Sequence, residues 1–234
     1  MRGCLFVLIA AALVVGAGAW FGSPVLASSV IGAALEGGGY HAATSTISVT
    51  SNPPPRLLLG RADEVRIDGA DVDFRTFHAA GLHLVLTDVD LVARRAARIN
   101  GTIDGAELRT AGGEPTTADV EIDGPADAAD ATILVEAATV ERVVRAAFQT
   151  SFGVSIATSE LVAPDILRVT APGATLEGRL TIDAAGAIAL TTPLGSTTVI
   201  SLDPSFPLRL RSLSAVDGDL RILAVLDAER LLGG

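Results

Sequence analysis

The stretch that decides the fold runs from Ser51 to Val72 and reads SNPPPRLLLGRADEVRIDGADV. Each proline holds φ at about −65° and lacks a backbone N–H, so this segment cannot lie inside a helix or a central strand. Three leucines and a glycine follow, after which apolar and charged residues alternate with the period of a half-buried strand. The stretch therefore predicts a stiff apolar turn, Leu57 to Gly60, that leads directly into a sheet.

Period-two alternation on both sides of this turn predicts antiparallel meanders. The first strand is predicted around Ile47 and Val49. The other predicted strands are Glu64–Asp68, Val72–Phe77, Leu82–Leu91, Ala97–Ile103, Ala118–Ile122, Val154–Val162, Ile166–Thr170, Ala174–Asp183, Ala187–Thr192 and Ser196–Ser201. Gly69, Ala70 and Asp71 are interpreted as a turn. Leu82–Leu91 is apolar on both faces, which fits either an ordinary core or a sheet with one face lining an apolar cavity.

An amphipathic helix is predicted between the two meanders. Its apolar stripe follows the i, i+3, i+4, i+7 spacing and consists of Val140, Val143, Val144, Ala147, Phe148 and Phe152. Thr139 is a candidate N-cap, and Gly153 is expected to end the helix. A shorter helix is predicted from Ser23 and Pro24 to about Leu35. The longer helix must bury its stripe against the sheet.

The first residues have the pattern of an export signal. Arg2 is followed by an uncharged apolar run from Cys4 to Gly22, with small residues at two candidate cleavage positions. The run is also just long enough to span a bilayer. We therefore expect residues 1–22 to be a signal peptide or an N-terminal membrane anchor, with anchoring through residues 4–22. Residues 23–234 are expected to form a single domain of the cell envelope or periplasmic space.

Charge and composition exclude several classes of function. The formal net charge is −10, and nucleic-acid binding requires a basic surface. The 17 basic residues are all arginines and form no long run, so the sequence indicates no polybasic patch for anionic lipid headgroups. Cys4 is the single cysteine, which leaves the mature chain without a disulfide or a thiol nucleophile.

No pattern of catalytic or metal-binding residues is found. The histidines, His41, His78 and His83, lack the spacing of metal ligands. Paired aspartates occur at 71 and 73 and at 88 and 90, and both pairs are interpreted as turns or solvated strand positions. The sequence therefore predicts no catalytic residue, no metal and no cofactor.

Several segments resemble the LmeA-type phospholipid-binding proteins of the bacterial cell envelope. They are the proline patch with the turn Leu57–Arg61, the strand start Asp63–Arg66, Gly69–Val72, Asp203–Leu210 and the turn Asp217–Asp219. The resemblance implies an α+β, tubular lipid-binding-like fold, in which a strongly curved antiparallel sheet wraps around a long amphipathic helix. Acyl chains would occupy the space between helix and sheet.

The same resemblance implies a site and a function. It sets the helix against Leu82–Leu91 and Ala174–Ile182 and makes Leu57–Leu59 an entrance lip. The implied lipid-binding residues are Leu57, Leu58, Leu59, Leu84, Leu86, Val140, Val144, Phe148, Phe152, Leu176 and Leu180. The implied protein is a non-catalytic carrier with phospholipid, the membrane surface and a membrane glycosyltransferase as partners. The alternatives are a structural or adhesive envelope β-domain with a filled core, and an envelope hydrolase or transferase.

Overall fold

The computed structural model describes residues 25–33, 35–37, 39–74, 77–110, 115–162, 164–202, 207–228 and 230. The predicted leader, the predicted cap at Ser23 and Pro24, and residues 203–206 of the C-terminal motif lie outside the described residues. Within the described ranges, no helix has the length and apolar character needed to cross a bilayer.

The chain folds into antiparallel strands and a small number of helices, which confirms the α+β class in its general form. Helix α1 covers residues 25–33 and 35–37, and helix α2 covers Ala137–Phe152. A 3-10 helix covers Pro54–Leu59. The strands are β1 Tyr40–Thr50, β2 Arg61–Phe74, β3 Phe77–Asp90, β4 Arg98–Thr110, β5 Thr116–Pro125, β6 Ala129–Val135, β7 Thr158–Val162, β8 Ile166–Ala171, β9 Ala174–Ile182, β10 Ile188–Thr192, β11 Gly195–Ser201, β12 Leu208–Val216 and β13 Asp219–Leu226.

The strands form two antiparallel sheets that share one junction. The first sheet has the order β1-β2-β3-β4-β5-β6-β13-β12. The second has the order β7-β8-β9-β10-β11. They join where Ile200 and Ser201 of β11 pair with the end of β4. At the other side, β12 packs near β9, and Ala215 donates a backbone hydrogen bond to Pro164.

The first sheet has one apolar face, called here the inner face, and one polar face. Its register sets Val65, Leu86 and Ile99 side by side on neighbouring strands. Along β5, buried and exposed residues alternate without interruption. Such alternation is typical of an antiparallel sheet that is covered on one side and solvated on the other.

Strand β2 corrects the predicted turn at Gly69–Asp71, because the strand runs unbroken from Arg61 to Phe74. Asp71 has φ 54, a left-handed conformation that aspartate tolerates better than most residues. A Cβ on Gly69 would lie 2.8 Å from Cγ2 of Val72, so these two positions face the same side. The residues that suggested a turn therefore reorient the side chains within a continuous strand.

Other strand predictions also change. The described residues of the predicted strand Val72–Phe77 are divided between β2 and β3. Strand β6 was not predicted, because its alanine-rich sequence gives a weak alternation signal although Ala129, Ala131 and Ile133 are buried. The predicted strand Val154–Val162 begins only at Thr158. These errors arise because pairing with neighbouring strands, which a local pattern does not report, decides where a strand begins.

Helix α2 lies where its apolar spacing predicts it, and Gly153 ends it with φ 64. Its start corrects the prediction that Thr139 is the N-cap. The helix begins at Ala137, whose N–H donates to Oδ1 of Asp219 at 2.9 Å, while Thr139 is buried within the first turn. A carboxylate from β13 therefore satisfies this N-terminal donor and complements the helix dipole.

The packing partners of α2 also differ from the predicted ones. The helix packs mainly on β7 and β11, with further contacts to β5 and β13, whereas β3 and β9 were expected. A hydrogen bond of 2.7 Å joins the hydroxyls of Ser151 and Thr197 between α2 and β11. The strands at the two ends of the second sheet thus both contact one helix.

Helix α1 covers the inner face of β1. Ala27, Ile31 and Leu35 are spaced four residues apart and join the apolar core. A Cβ on Gly32 would lie 3.6 Å from Cδ1 of Ile47. Because α1 ends just before Tyr40 and passes Ile47, it runs back along β1 with its amino end directed toward Thr50.

Candidate apolar binding site

The structure gathers nine of the eleven predicted lipid-binding residues into one apolar cluster. Six are buried and three are half-buried within or against this cluster. Leu58 and Leu59 lie outside it, on the surface. The buried residues are Leu57, Leu86, Val140, Val144, Phe148 and Leu180, and the half-buried ones are Leu84, Phe152 and Leu176.

The part of the cluster around α2 is tightly covered. Val144 and Phe148 are fully buried, as are Leu167 on β8 and Leu190 on β10. The ring of Phe148 meets that of Phe152 edge to face, with 5.4 Å between the ring centroids. This region has the burial of an ordinary protein core.

The part of the cluster around α1 is less well covered. Ile31 and Leu35 on α1, Ile47 on β1, and Leu82 and Leu84 on β3 are apolar and directed to the inner side, yet each remains half-buried. We call these five residues the apolar trough. Large apolar side chains on a covered sheet face are normally buried, so the partial exposure of these five side chains makes this region the candidate apolar site.

Two glycines lie beside the leucines of the trough. In the register of the sheet, Gly101 on β4 is opposite Leu84, and Gly69 on β2 is opposite Leu82. A Cβ at Gly101 would overlap the carbonyl oxygen of His83, and one at Gly69 would overlap the Tyr40 hydroxyl. The close approach of the His83 carbonyl and of the Tyr40 hydroxyl therefore requires glycine at these two positions, and the Tyr40 side chain occupies the space over Gly69.

The proline-leucine turn forms one end of the first sheet. Leu57 is buried, whereas Leu58 and Leu59 are 58% and 75% exposed. Val92, in the connection between β3 and β4, is 81% exposed and packs on Gly60, where a Cβ would lie 2.5 Å from its Cγ2. We call Leu58, Leu59 and Val92 the leucine tip.

Internal hydrogen bonds fix the conformation of the two segments that carry the leucine tip. The backbone N–H groups of Val92 and Ala93 donate to Oδ1 of Asp90 at 3.0 and 2.8 Å. The bond from Ala93 is the main cause that lowers the pKa of Asp90. The bond from Val92 and the charges of the nearby Arg61 and Arg95 act in the same direction. The N–H of Leu91 donates to the carbonyl oxygen of Gly60 at 2.8 Å and joins the two segments.

His78 and His83 lie on the polar outer side of the β2–β3 pair. Nδ1 of His78 donates to Oδ1 of Asp73 at 3.0 Å, and His83 is hydrogen-bonded to Asp68 across the same two strands. The bond to Asp73 is the main cause that raises the pKa of His78 above its usual value. All four side chains are substantially exposed.

These histidine–aspartate pairs bear on the enzyme alternative. The bonds that the structure gives His78 and His83 run to carboxylates and not to a hydroxyl, whereas a catalytic triad needs a nucleophile bonded to the histidine. Among the described residues, no group of three or more His, Cys, Asp or Glu side chains is arranged to hold a metal ion. Asp71 and Asp88 are exposed strand residues with left-handed backbones.

Comparisons with protein-family models, with curated proteins and with solved structures find no match to this chain. The site is therefore defined by its own geometry.

Sequence reasoning identified Leu84 but not the other four residues of the trough. Ile31 and Leu35 show helical spacing, and Ile47 and Leu82 show strand alternation, so each looked like an ordinary core residue. Only the pairing of β1 with β2 and the position of α1 reveal that these side chains remain partly uncovered. The available signal was the strand Leu82–Leu91, which is apolar on both faces.

Proposed function

We propose that this protein is a non-catalytic phospholipid-binding protein of the cell envelope that holds acyl chains in the apolar trough. The observation that carries the proposal is the partial exposure of Ile47, Leu82 and Leu84 on the apolar face of the first sheet. Ligand sites for flexible apolar molecules are concave and lined mainly by aliphatic side chains. The trough has this composition and contains no charged residue.

The fold that fits this function is tubular, with curved antiparallel sheets around a helix. The contacts of α2 with β7 and β11, the outermost strands of the second sheet in its pairing order, support a sheet that curls around the helix. Contacts with β5 and β13 place the first sheet against the same helix. On this interpretation α2 is the filled axis of the molecule, and the acyl chains lie farther along, between α1 and β3.

Energetics favour a carrier over a receptor that retains its lipid. Burial of one methylene group stabilises by about 0.8 kcal/mol relative to water. A phospholipid in a bilayer already has this burial, so transfer between bilayer and trough changes the free energy little. The protein lowers the cost of passing through water, and that role needs neither a catalytic residue nor a cofactor.

The cellular setting follows from the leader and from the family resemblance. The apolar run at residues 4–22 supports export, either as a cleaved signal or as an anchor in the cytoplasmic membrane. The resemblance to LmeA-type proteins supports a role in envelope lipid or lipoglycan assembly, beside a membrane glycosyltransferase. We propose phospholipid and the membrane surface as the direct partners.

The proposal is tested by titrating a delipidated protein with a fluorescent phospholipid. Leu84→Gln places an amide in the trough, and burying an amide without a partner costs about 1–3 kcal/mol. We therefore expect the lipid dissociation constant to rise at least about tenfold, the equivalent of 1.4 kcal/mol. Circular dichroism would establish that the variant is folded.

Val85→Gln is the matched control, because Val85 is the next residue on β3, is also half-buried and faces the opposite side. This variant is expected to bind the phospholipid like the wild type. If Leu84→Gln and Val85→Gln weaken phospholipid binding equally, the trough is not the site. A folded wild-type protein that binds no phospholipid would favour the alternative of a structural envelope domain with a filled core.

A further inference from the structure

We infer that the leucine tip, together with the arginines around it, docks the protein on an anionic phospholipid bilayer. This inference rests on the proposed function and assigns the surface through which lipid reaches the trough. Leu58, Leu59 and Val92 would enter the headgroup region, while Arg61, Arg94 and Arg95 contact lipid phosphates.

The apolar part of the surface is exposed and fixed in shape. Two of its residues come from the turn before β2 and one from the connection after β3, and the hydrogen bond from Leu91 to Gly60 holds them together. Leu57 next to them is buried in the core cluster. Because the buried Leu57 fixes the turn to the core, Leu58 and Leu59 remain directed to solvent. The turn therefore keeps a small apolar surface exposed.

Charge complementarity selects an anionic bilayer as the occupant. Residues 56–66 and 88–95 contain five arginines and four carboxylates, so this end of the two strands has a net charge of +1 in a chain whose net charge is −10. Arg56 pairs with Asp63 at 3.1 Å, while Arg61, Arg94 and Arg95 are exposed. The arginines are separate in the sequence, and the pairing of β2 with β3 brings Arg61 opposite Asp90, whose backbone is hydrogen-bonded to that of Arg95. The charges of Arg61 and Arg95 both act on the Asp90 carboxylate.

At the opposite end of the same two strands, the described residues include exposed carboxylates. Asp71 and Asp73 are exposed near the β2–β3 hairpin. Strands of 14 residues span about 45 Å, so the two ends are well separated in the field of a charged surface. An anionic bilayer would attract the arginine end, repel the aspartate end and so orient the molecule.

Helix α1 gives independent support for this orientation. Its amino end is directed toward the end of β1 at Thr50, the same end of the sheet from which the proline-leucine turn continues. The predicted leader at residues 1–22 directly precedes this helix in the sequence. A chain anchored through residues 4–22 would therefore meet the membrane with the leucine tip.

The test is co-sedimentation of the full protein with two kinds of vesicle, phosphatidylcholine alone and phosphatidylcholine mixed with phosphatidylglycerol. Each arginine near an anionic surface contributes about 1 kcal/mol, or roughly fivefold in affinity. The double variant Arg94→Gln/Arg95→Gln should therefore lose on the order of twentyfold on the anionic vesicles and little on the neutral ones. Leu58→Ser/Leu59→Ser should weaken binding to both kinds.

Two controls match these variants. Arg209→Gln/Arg221→Gln removes the same charge from exposed positions on β12 and β13, and Leu194→Ser changes a leucine that is 50% exposed on the β10–β11 turn. Both controls should bind anionic vesicles within about twofold of the wild type, because they lie away from the tip. Equal losses in the controls and in the tip variants would overturn the inference.

Two further outcomes separate this inference from the proposed function. If the tip variants sediment with vesicles like the wild type while the fluorescent phospholipid still binds in the trough, docking at the tip is wrong and the proposed function stands. If Leu58→Ser/Leu59→Ser converts a dimer to a monomer in analytical ultracentrifugation without changing vesicle binding, the tip is a contact between copies of the chain. Tip-dependent vesicle binding without phospholipid uptake would refute the carrier function alone.

Discussion

Helices α1 and α2 both lie on apolar sheet faces, but the side chains around them are buried to different degrees. Around α2, Val144 and Phe148 are fully buried, and strands from both sheets contact the helix. Around α1, Ile47, Leu82 and Leu84 remain half-buried. The difference teaches that an amphipathic helix is not by itself evidence of a ligand site. The better-packed helix stabilises the fold, and the less complete contact around α1 leaves apolar side chains partly exposed, which is why we propose the site there.

The largest expected effect lies on the α2 side. Phe148→Ala should lower the free energy of unfolding by about 3–5 kcal/mol, because a fully buried ring is removed from a packed core. Leu84→Ala, in the half-buried trough, should lower it by only about 1 kcal/mol. Chemical denaturation of delipidated protein measures both. Similar losses for the two variants would mean that the two regions are equally packed, and the contrast on which the site rests would disappear.

Local periodicity predicted most of the elements but not their contacts. The apolar spacing from Val140 to Phe152 was sufficient to predict α2, and Gly153 was sufficient to predict where the helix ends. The family resemblance implied that this helix lines the site. The apolar spacing could not test that implication, because a one-dimensional stripe does not distinguish a filled core from a partly open one. The N-terminal partner Asp219 is 82 residues away from Ala137, and no local signal reports such a contact.

The site was predictable only in part for the same reason. Leu57–Leu59 signalled an exposed turn, since three successive leucines cannot all point inward, and two of them are indeed exposed. Val92 and Arg95 join that turn only through the β2–β3 register, which depends on pairing along two 14-residue strands. Long-range pairing is the information that the sequence pattern lacks.

A smaller effect is expected at the aspartate end of β2 and β3, opposite the leucine tip. The pKa of His78 is raised mainly by its hydrogen bond to Asp73, so Asp73→Asn should return it toward 6.5 in an NMR titration. Because the pKa of His78 is higher in the folded state than in the unfolded state, the His78–Asp73 pair stabilises the fold fully at a pH below the unfolded-state pKa. This stabilisation disappears as the pH rises through the folded-state pKa. Asp68→Asn, which changes the partner of His83, should leave the titration of His78 nearly unchanged. An unaltered His78 pKa in Asp73→Asn would show that the pair does not form in solution.

The most direct test of the central claim is native mass spectrometry of the full-length protein extracted gently from its membrane fraction. If the apolar trough holds acyl chains, the wild-type protein carries added mass that fragments to a phospholipid, and Val85→Gln carries the same adduct. Leu84→Gln should be largely free of it while retaining a folded charge-state distribution. A folded wild-type protein found only at the mass of its polypeptide, or an adduct of equal abundance in Leu84→Gln, would contradict the account.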